Sequence, residues 1–303
     1  MRLWNGWGNE DSDLTMELSS GLSMLLEALV GTGTALPQAT LNDVISKVPN
    51  TRLENHPLII TDPETRVRHS RGQSLPDWLE MHSGNVDTFP DGVAFPESSE
   101  QVRELLAHAK ENNLVVIPYG GGTSVVGHIN PENTDKPILT IDMGKMNTMM
   151  SIDTTSQLAT FGAGTPGPIV EEELKKHGYT LGHFPQSWEL STLGGWVASR
   201  SSGQQSLHYG RIENMFAGGS IETFNGTMTI PTIPASSAGP DVREMILGSE
   251  GRIGIITEVT VRITPLPEEE KFQVVFFPSW EIGISAAREL IQQRVALSMV
   301  RLS

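Results

Sequence analysis

Between residues 96 and 265 the chain alternates between helical and strand-like spacing of its apolar positions. Val102, Leu105, Leu106 and Ala109 fall at i, i+3, i+4 and i+7, one face of an amphipathic helix. Pro96 and Ser98-Ser99 mark its start, Glu100 sits in its first turn, and Asn112-Asn113 ends it. The apolar run Leu114–Ile117 then reads as a short buried strand. Pro137–Met143 and Ser156–Phe161 read as two more strands, and Pro166–His177 as a helix stopped by Gly178. Trp196–Arg200 suits a short helix. Ile255, Thr257, Val259, Val261 and Ile263 alternate with polar residues, the pattern of a half-buried strand. Beyond Glu268-Glu269-Glu270, Phe272–Phe277 predicts a strand and Glu281 to about Val295 an amphipathic helix. Residues 1–88 are less regular. Leu14–Val30 has near-helical spacing, Leu41–Ile45 suits a short helix, and Pro37, Pro49, Pro57 and Pro63 punctuate the rest into short helices and loops. Trp4 and Trp7 suit an N-terminal arm packed on the body.

Three glycine-bearing stretches carry the candidate chemistry. The first, Pro118-Tyr119-Gly120-Gly121-Gly122-Thr123-Ser124-Val125, directly follows the strand at 114–117. Consecutive glycines let backbone N–H groups converge on an anion, with the Thr123 and Ser124 hydroxyls as further donors. A diphosphate suits such a loop; a flexible surface turn has the same composition. The second runs from Gly182 through Pro185-Gln186-Ser187 to Ser191-Thr192-Leu193-Gly194-Gly195-Trp196. It suits either an anion held at a helix start or an N-cap by Ser191 or Thr192 with close packing at the glycines. The third, Gly248-Ser249-Glu250-Gly251-Arg252-Ile253-Gly254, leads into the alternating strand. Arg66, Arg68, His69 and Arg71 form a basic cluster, read as solvated or paired with nearby acids, and suited to an anionic substrate if it lines a cleft.

Charge and composition narrow the classes. The 303 residues hold 21 Lys plus Arg against 36 Asp plus Glu, a formal net charge of −15. That excess argues against a general nucleic-acid binder or docking on anionic membranes. The absence of cysteine excludes disulfides, thiolate metal sites and a Cys nucleophile. No apolar run reaches the ~18 residues of a membrane span, and the N-terminus lacks a signal-peptide core, so the cytoplasm is the default expectation. The eight histidines show no paired zinc-ligand spacing. The glycine loop lacks a P-loop ending, and no Gly-x-Ser-x-Gly or Gly-x-Gly-x-x-Gly stands in the right context.

Taken in order, the three stretches resemble the FAD-binding domain of the vanillyl-alcohol oxidase and p-cresol methylhydroxylase superfamily. Within it the chain is similar to the alkyldihydroxyacetonephosphate synthase family. The resemblance rests on Trp-Asn-Gly-Trp-Gly at 4–8, Pro-x-Gly-Gly-Gly-Thr-Ser at 118–124, Ser-Thr-x-Gly-Gly-Trp at 191–196, Gly-Pro-Asp at 239–241 and Gly-Ser-Glu-Gly at 248–251. It implies an α+β fold: a p-cresol methylhydroxylase-type FAD-binding domain of two α/β subdomains, preceded by a mainly helical N-terminal region. The expected boundaries are 1–88, 89–268 and 269–303, the last being the start of a substrate (cap) domain. The resemblance implies FAD contacts at Pro118, Tyr119, Gly120, Gly121, Gly122, Thr123, Ser124 and Val125. It implies others at Pro185, Gln186, Ser187, Ser191, Thr192, Gly194, Gly195, Ala198, Ser199, Arg200 and Ser201, and at Glu250, Gly251, Ile253, Gly254, Ile255 and Ile256. No His or Cys stands in the glycine loop, so noncovalent FAD is expected.

The implied activity is exchange of an acyl for an alkyl chain on dihydroxyacetone phosphate in ether-lipid synthesis. The alternative is FAD-dependent oxidation of a 2-hydroxy acid such as D-lactate or glycolate. A small-molecule or lipid-like substrate, no nucleic-acid partner, no metal and a homodimer as one assembly option complete the expectation. Gln186 stands where the family has Asp, and Ala235 where it has an active-site arginine. The family's catalytic tyrosine and histidines are expected beyond Ser303, so the chain reads as a truncated enzyme.

Overall fold

Side-chain caps set where the helices of the N-terminal region begin. Thr40 and Asp43 form a reciprocal capping box at α2 (Leu41–Ile45), which follows α1 (Ser20–Val30). Asp62 caps α3 (Pro63–Arg68), whose first residue is a proline pre-set for a helix start. Ser74 and Asp77 repeat the capping box at α4 (Leu75–Ser83), and Gly84, at φ 71°, ends it in the left-handed conformation. The computed structural model describes residues 2–10, 20–34 and 37–303. The expected helix at 14–30 is present from Ser20; residues 14–19 lie outside the described set.

The chain divides into two compact units interleaved in sequence. The first contains Met1–Ala94, Asn112–Ile117 and Gly122–Ile141; the second contains Phe95–Glu111, Pro118–Gly121 and Asp142–Ser303.

The first unit is built on a four-stranded sheet in the order β1-β2-β4-β3, with β1 Ile59–Ile60, β2 Gly92–Ala94, β3 Val115–Tyr119 and β4 Ile138–Asp142. β2 and β4 run parallel, pairing Gly92 with Leu139 and Ala94 with Ile141. Beside the sheet, Val44, Val67, Met81, Val86 and Phe89 form a core against which Trp4 and Trp78 pack, so the N-terminal arm does anchor by its first tryptophan.

Of the two readings of the basic cluster at 66–71, pairing with nearby acids holds for Arg68, with Glu64 and Glu10, and for Arg71, while the cluster is not solvated. Arg66 is 2% exposed and donates to the Pro90 and Pro49 carbonyls at 2.6 and 2.8 Å. Arg71, 6% exposed, reaches Glu80, Asp87 and the Thr88 carbonyl, and the His69 ring sits 2.7 Å from the Thr65 carbonyl. Loop carbonyls with no strand partner must still be satisfied once buried, and the multi-donor guanidinium does this here.

The second unit opens with α5 (Ser99–Glu111), matching the expected helix, and centres on a five-stranded antiparallel sheet. Its order is β5 (Met149–Asp153), β6 (Leu158–Gly162), β10 (Ile255–Arg262), β8 (Phe216–Thr223) and β9 (Gly226–Ile230). The small pair β7 (Tyr179–Thr180) and β11 (Thr264–Pro265) stands apart. Period-2 alternation assigns the sheet faces. Ala159, Phe161, Val259 and Val261 belong to the core with Val170 and Leu174 of α6 (Gly167–Lys176) and Leu193, Trp196 and Val197 of α7 (Leu193–Ser199). Thr160 and Thr260 point the other way and share a 2.9 Å hydrogen bond.

α8 (Ser206–Tyr209), α9 (Ile212–Met215) and α10 (Val242–Ile246) are single turns in the connections. α11 (Trp280–Gln292) matches the expected C-terminal helix. The strand expected at Phe272–Phe277 is not formed: the segment has no ladder partner among the described residues, and Phe272, Val274 and Phe276 are strongly exposed. β-propensity without a neighbour to pair with leaves extended chain, not sheet.

Candidate functional site

All three glycine-bearing stretches contribute to the second unit, and there they touch. A Cβ on Gly121 would overlap the Leu190 carbonyl oxygen, and one on Gly120 would lie 2.5 Å from Thr192 Oγ1. The first glycines of the loop are therefore required by close packing on the Ser191-Thr192 stretch. A Cβ on Gly251 would lie 2.8 Å from Pro118 Cγ. The second and third stretches are joined by backbone bonds, Gly248 N–H to the Val197 carbonyl at 3.1 Å and Glu250 N–H to the Ala198 carbonyl at 2.9 Å. Residues separated by up to 133 positions in sequence thus form one locus.

Local bonds fix the second stretch. Thr192 is the N-cap of α7, its Oγ1 accepting from Gly195 N–H at 3.3 Å. Ser191 Oγ donates to the Ser187 carbonyl at 2.8 Å and accepts from Trp196 Nε1 at 2.7 Å. Gly194 N–H bonds the Ala163 carbonyl at 2.8 Å, where a Cβ would collide with Ala163. The N-cap and close-packing roles foreseen for these residues are therefore both present. Pro185 is buried, Gln186 and Ser199 are exposed, and Ser187, Ala198 and Ser201 are half-buried. α7 ends at Arg200, left-handed at φ 53°, whose guanidinium is engaged by Glu213 at 2.6 Å and Glu244 at 2.8 Å. Those carboxylates hold the Arg200 pKa above its ordinary value, the Glu213 hydrogen bond most.

Glu250 also adopts a left-handed conformation, φ 50°, before Gly251. Ile253 and Gly254 lead into β10, where the Ile255 and Ile256 side chains are buried and Ile256 joins the core. Ala235 lies in the exposed connection between β9 and α10.

The remainder of the glycine loop, Gly122–Val125, belongs to the first unit. Gly122 is buried with φ 60°, Thr123 and Ser124 are half-buried, and Val125 is 65% exposed. The Ser124 carbonyl accepts from Gln73 N–H at 2.6 Å, and Ser124 Oγ lies 3.2 Å from His128 Nδ1. Asn130 braces this turn, accepting from Gly72 N–H at 3.0 Å and donating to Asp77 at 2.6 Å. The loop is held by its neighbours and is not a free surface turn.

Sequence reasoning did not single out His183, which the structure places in the locus. Glu171, buried on α6, accepts from Thr180 Oγ1, Leu181 N–H and Gly182 N–H and so fixes the approach to it. The imidazole is fully buried, stands edge-on to Trp196 with centroids 5.0 Å apart, and has Nε2 2.8 Å from Ser201 Oγ. Burial pushes its pKa down to about 4. Its place inside the second glycine-bearing stretch was the one signal that could have found it.

Among the described residues no group of three His, Asp or Glu could hold a metal, and no helix is long and apolar enough to cross a membrane. The donor set is amides and hydroxyls, with Glu189 exposed and Glu250 the other carboxylate of the three stretches. Such a set fits a diphosphate-bearing dinucleotide and not a cation.

Comparison with known proteins agrees. Residues 90–230 match the model of the FAD binding domain family. The alkyldihydroxyacetonephosphate synthase of Dictyostelium discoideum is 38% identical over 240 residues, covering 79% of this chain and 39% of that protein. The Caenorhabditis elegans enzyme of the same name is 30% identical over 330 residues, covering 99% and 55%. A solved alkyldihydroxyacetonephosphate synthase superposes with a TM-score of 0.85 at 30% identity, covering 98% of this chain and 60% of that one. The chain spans about half the length of the relatives it matches. Residues 90–230 thus carry an FAD binding domain, and the chain as a whole is similar to the alkyldihydroxyacetonephosphate synthases.

Proposed function

We propose that the chain binds FAD noncovalently and serves the reaction named by its relatives, formation of alkyldihydroxyacetone phosphate by exchange of an acyl for an alkyl chain. The observation that carries this reading is the convergence of Pro118–Gly121, Ser187–Ser201 and Gly248–Gly254 within one unit, the first pressed on the other two at Gly120, Gly121 and Gly251 and the second and third joined by backbone hydrogen bonds. Amides and hydroxyls of the Gly120–Val125 loop would take the diphosphate, a role for which a Gly-rich loop is suited. Pro185–Ser191 and Ala198–Ser201 would contact the cofactor further along, and Glu250–Ile256 would follow its adenosine and ring sides. Bound FAD supplies the reactive ring system. The protein's part is to orient that ring, exclude water and present donors. A cytoplasmic setting, a lipid-like phosphate substrate, a cap region at 269–303 and a homodimer accompany the proposal.

The test is the visible spectrum of the purified chain, before and after adding FAD and passing it through gel filtration. A bound-flavin spectrum, with the colour released by acid precipitation, supports noncovalent FAD. Folded protein that stays colourless removes the assignment. Bleaching of the flavin by D-lactate or glycolate without oxygen would replace the synthase reading with a hydroxy-acid dehydrogenase.

A further inference from the structure

His183 and Ser201 form a polar pair inside the second unit that the packing of the fold does not account for. Nε2 of His183 lies 2.8 Å from Ser201 Oγ, and among the described residues the Ser201 side chain makes no second hydrogen bond. The other ring nitrogen, Nδ1, is buried without a partner. It faces Gly203, where a Cβ would lie 3.2 Å away.

A neutral imidazole carries one N–H and one lone pair, and the environment selects which nitrogen holds the proton. A proton on Nδ1 would be a buried donor with no acceptor, a costly arrangement. Placed on Nε2, it is donated to Ser201 Oγ. Desolvation keeps the ring neutral, with a pKa near 4, so the ring does not become a double donor near neutral pH. The serine oxygen then accepts from the histidine, and its own O–H has no acceptor among the described residues. That proton is left available to an acceptor on a bound group. Ser201 sits in the stretch that turns out of α7, next to Arg200, whose backbone carbonyl is bound by Arg211 at 2.9 Å. The hydroxyl is therefore carried on a restrained backbone.

We propose that His183 is a positioning residue that sets the Ser201 hydroxyl as a one-way hydrogen-bond donor to an acceptor atom of bound FAD. The inference rests on the FAD reading above. It specifies one donor, one direction and one tautomer.

The test uses the full chain. In the flavin-free protein, imidazole nitrogen chemical shifts should report the Nε2–H tautomer for His183; an Nδ1–H tautomer overturns the proposal without reference to any cofactor. With FAD, Ser201→Ala should weaken binding roughly five- to tenfold, the loss of about one hydrogen bond, and shift the visible flavin spectrum. His183→Phe should do the same, and the double variant should be no weaker than either single one. His183→Gln, whose amide can donate from the position of Nε2, should stay within about twofold of wild type. Unchanged affinity and spectrum in Ser201→Ala, or fully multiplicative effects in the double variant, overturn the proposal. Should His183→Phe not fold, the tautomer, Ser201→Ala and His183→Gln still decide it. If the wild-type chain itself takes up no flavin, the FAD reading fails and this inference with it; if it takes up flavin and the variants match it, only this inference fails.

Discussion

Single residues in this chain act mainly through the backbone they permit. Gly121 has the Leu190 carbonyl oxygen inside the space a methyl would fill, and that oxygen belongs to rigid backbone. Gly121→Ala must therefore separate the first and second glycine-bearing stretches. We expect a cost of about 3 kcal/mol, at the upper end for overpacking, with FAD uptake lost even at temperatures where the fold survives. Gly6→Ala, with nothing within 4 Å of its Cβ, is the matched control and should be close to silent. Thermal melts with and without FAD check the pair. His183 shows the limit of reading single residues in sequence. Its burial, its unpartnered nitrogen and its contact with Ser201, 18 positions away, arise only once α7 has packed.

At the scale of elements, periodicity was sufficient wherever one face met a core. α5, α6, β10 and α11 appear within a few residues of where spacing predicts them, because i, i+3, i+4 and period-2 patterns are imprinted by burial. It failed at Phe272–Phe277, where apolar content is high but no strand among the described residues pairs with the segment. It was also silent on β5 and on the β8–β9 hairpin, whose exposed and glycine-rich residues carry little alternation. The contrast predicts opposite outcomes for two phenylalanines. Phe276, 92% exposed, should tolerate Ser with less than about 0.5 kcal/mol change, as exposed sites do. Phe161, fully buried between β6 and the core helices, should lose about 3–5 kcal/mol on change to Ala. Urea denaturation of the two variants side by side measures this; equal destabilisation would contradict the assignment of faces.

Over the whole molecule, each unit contains a buried titratable group, and the two act in different pH windows. In the first unit Asp91 is 4% exposed at its side chain. Burial acts to raise its pKa, but Arg52 at 2.7 Å and the Ile138 and Arg52 N–H groups outweigh it and hold the carboxyl below its ordinary value. A depressed carboxyl stabilises the fold above its unfolded pKa of about 3.9, and that contribution is lost as pH falls through the folded value. In the second unit His183 has a folded pKa near 4 against 6.5 unfolded. The unfolded state therefore binds the extra proton between those values. Stability is full above about pH 6.5 and declines by roughly 3 kcal/mol as pH drops to 4. Acid unfolding should show both windows, the upper one absent in His183→Gln and the lower one reduced in Asp91→Asn. The second variant should also cost about 2 kcal/mol at neutral pH, below the full price of a buried pair because Arg52 is 42% exposed at its side chain.

The sequence by itself determined the class of the protein. Glycines at close-approach positions, hydroxyls at a helix start and alternating strands are local requirements, and local requirements are written in residue order. They marked the three stretches that meet in the second unit, and the order of those stretches carried the resemblance that implied an α+β FAD-binding fold. Tertiary structure alone decided which of those residues touch. It placed Gly121 against Leu190 and Gly251 against Pro118, spent Ser191 and Thr192 on local bonds, drew Arg66 and Arg71 into the fold, and set His183 behind Ser201. The physical reason is that close approach, desolvation and tautomer choice depend on groups distant in sequence, and those distances exist only after the chain has closed on itself.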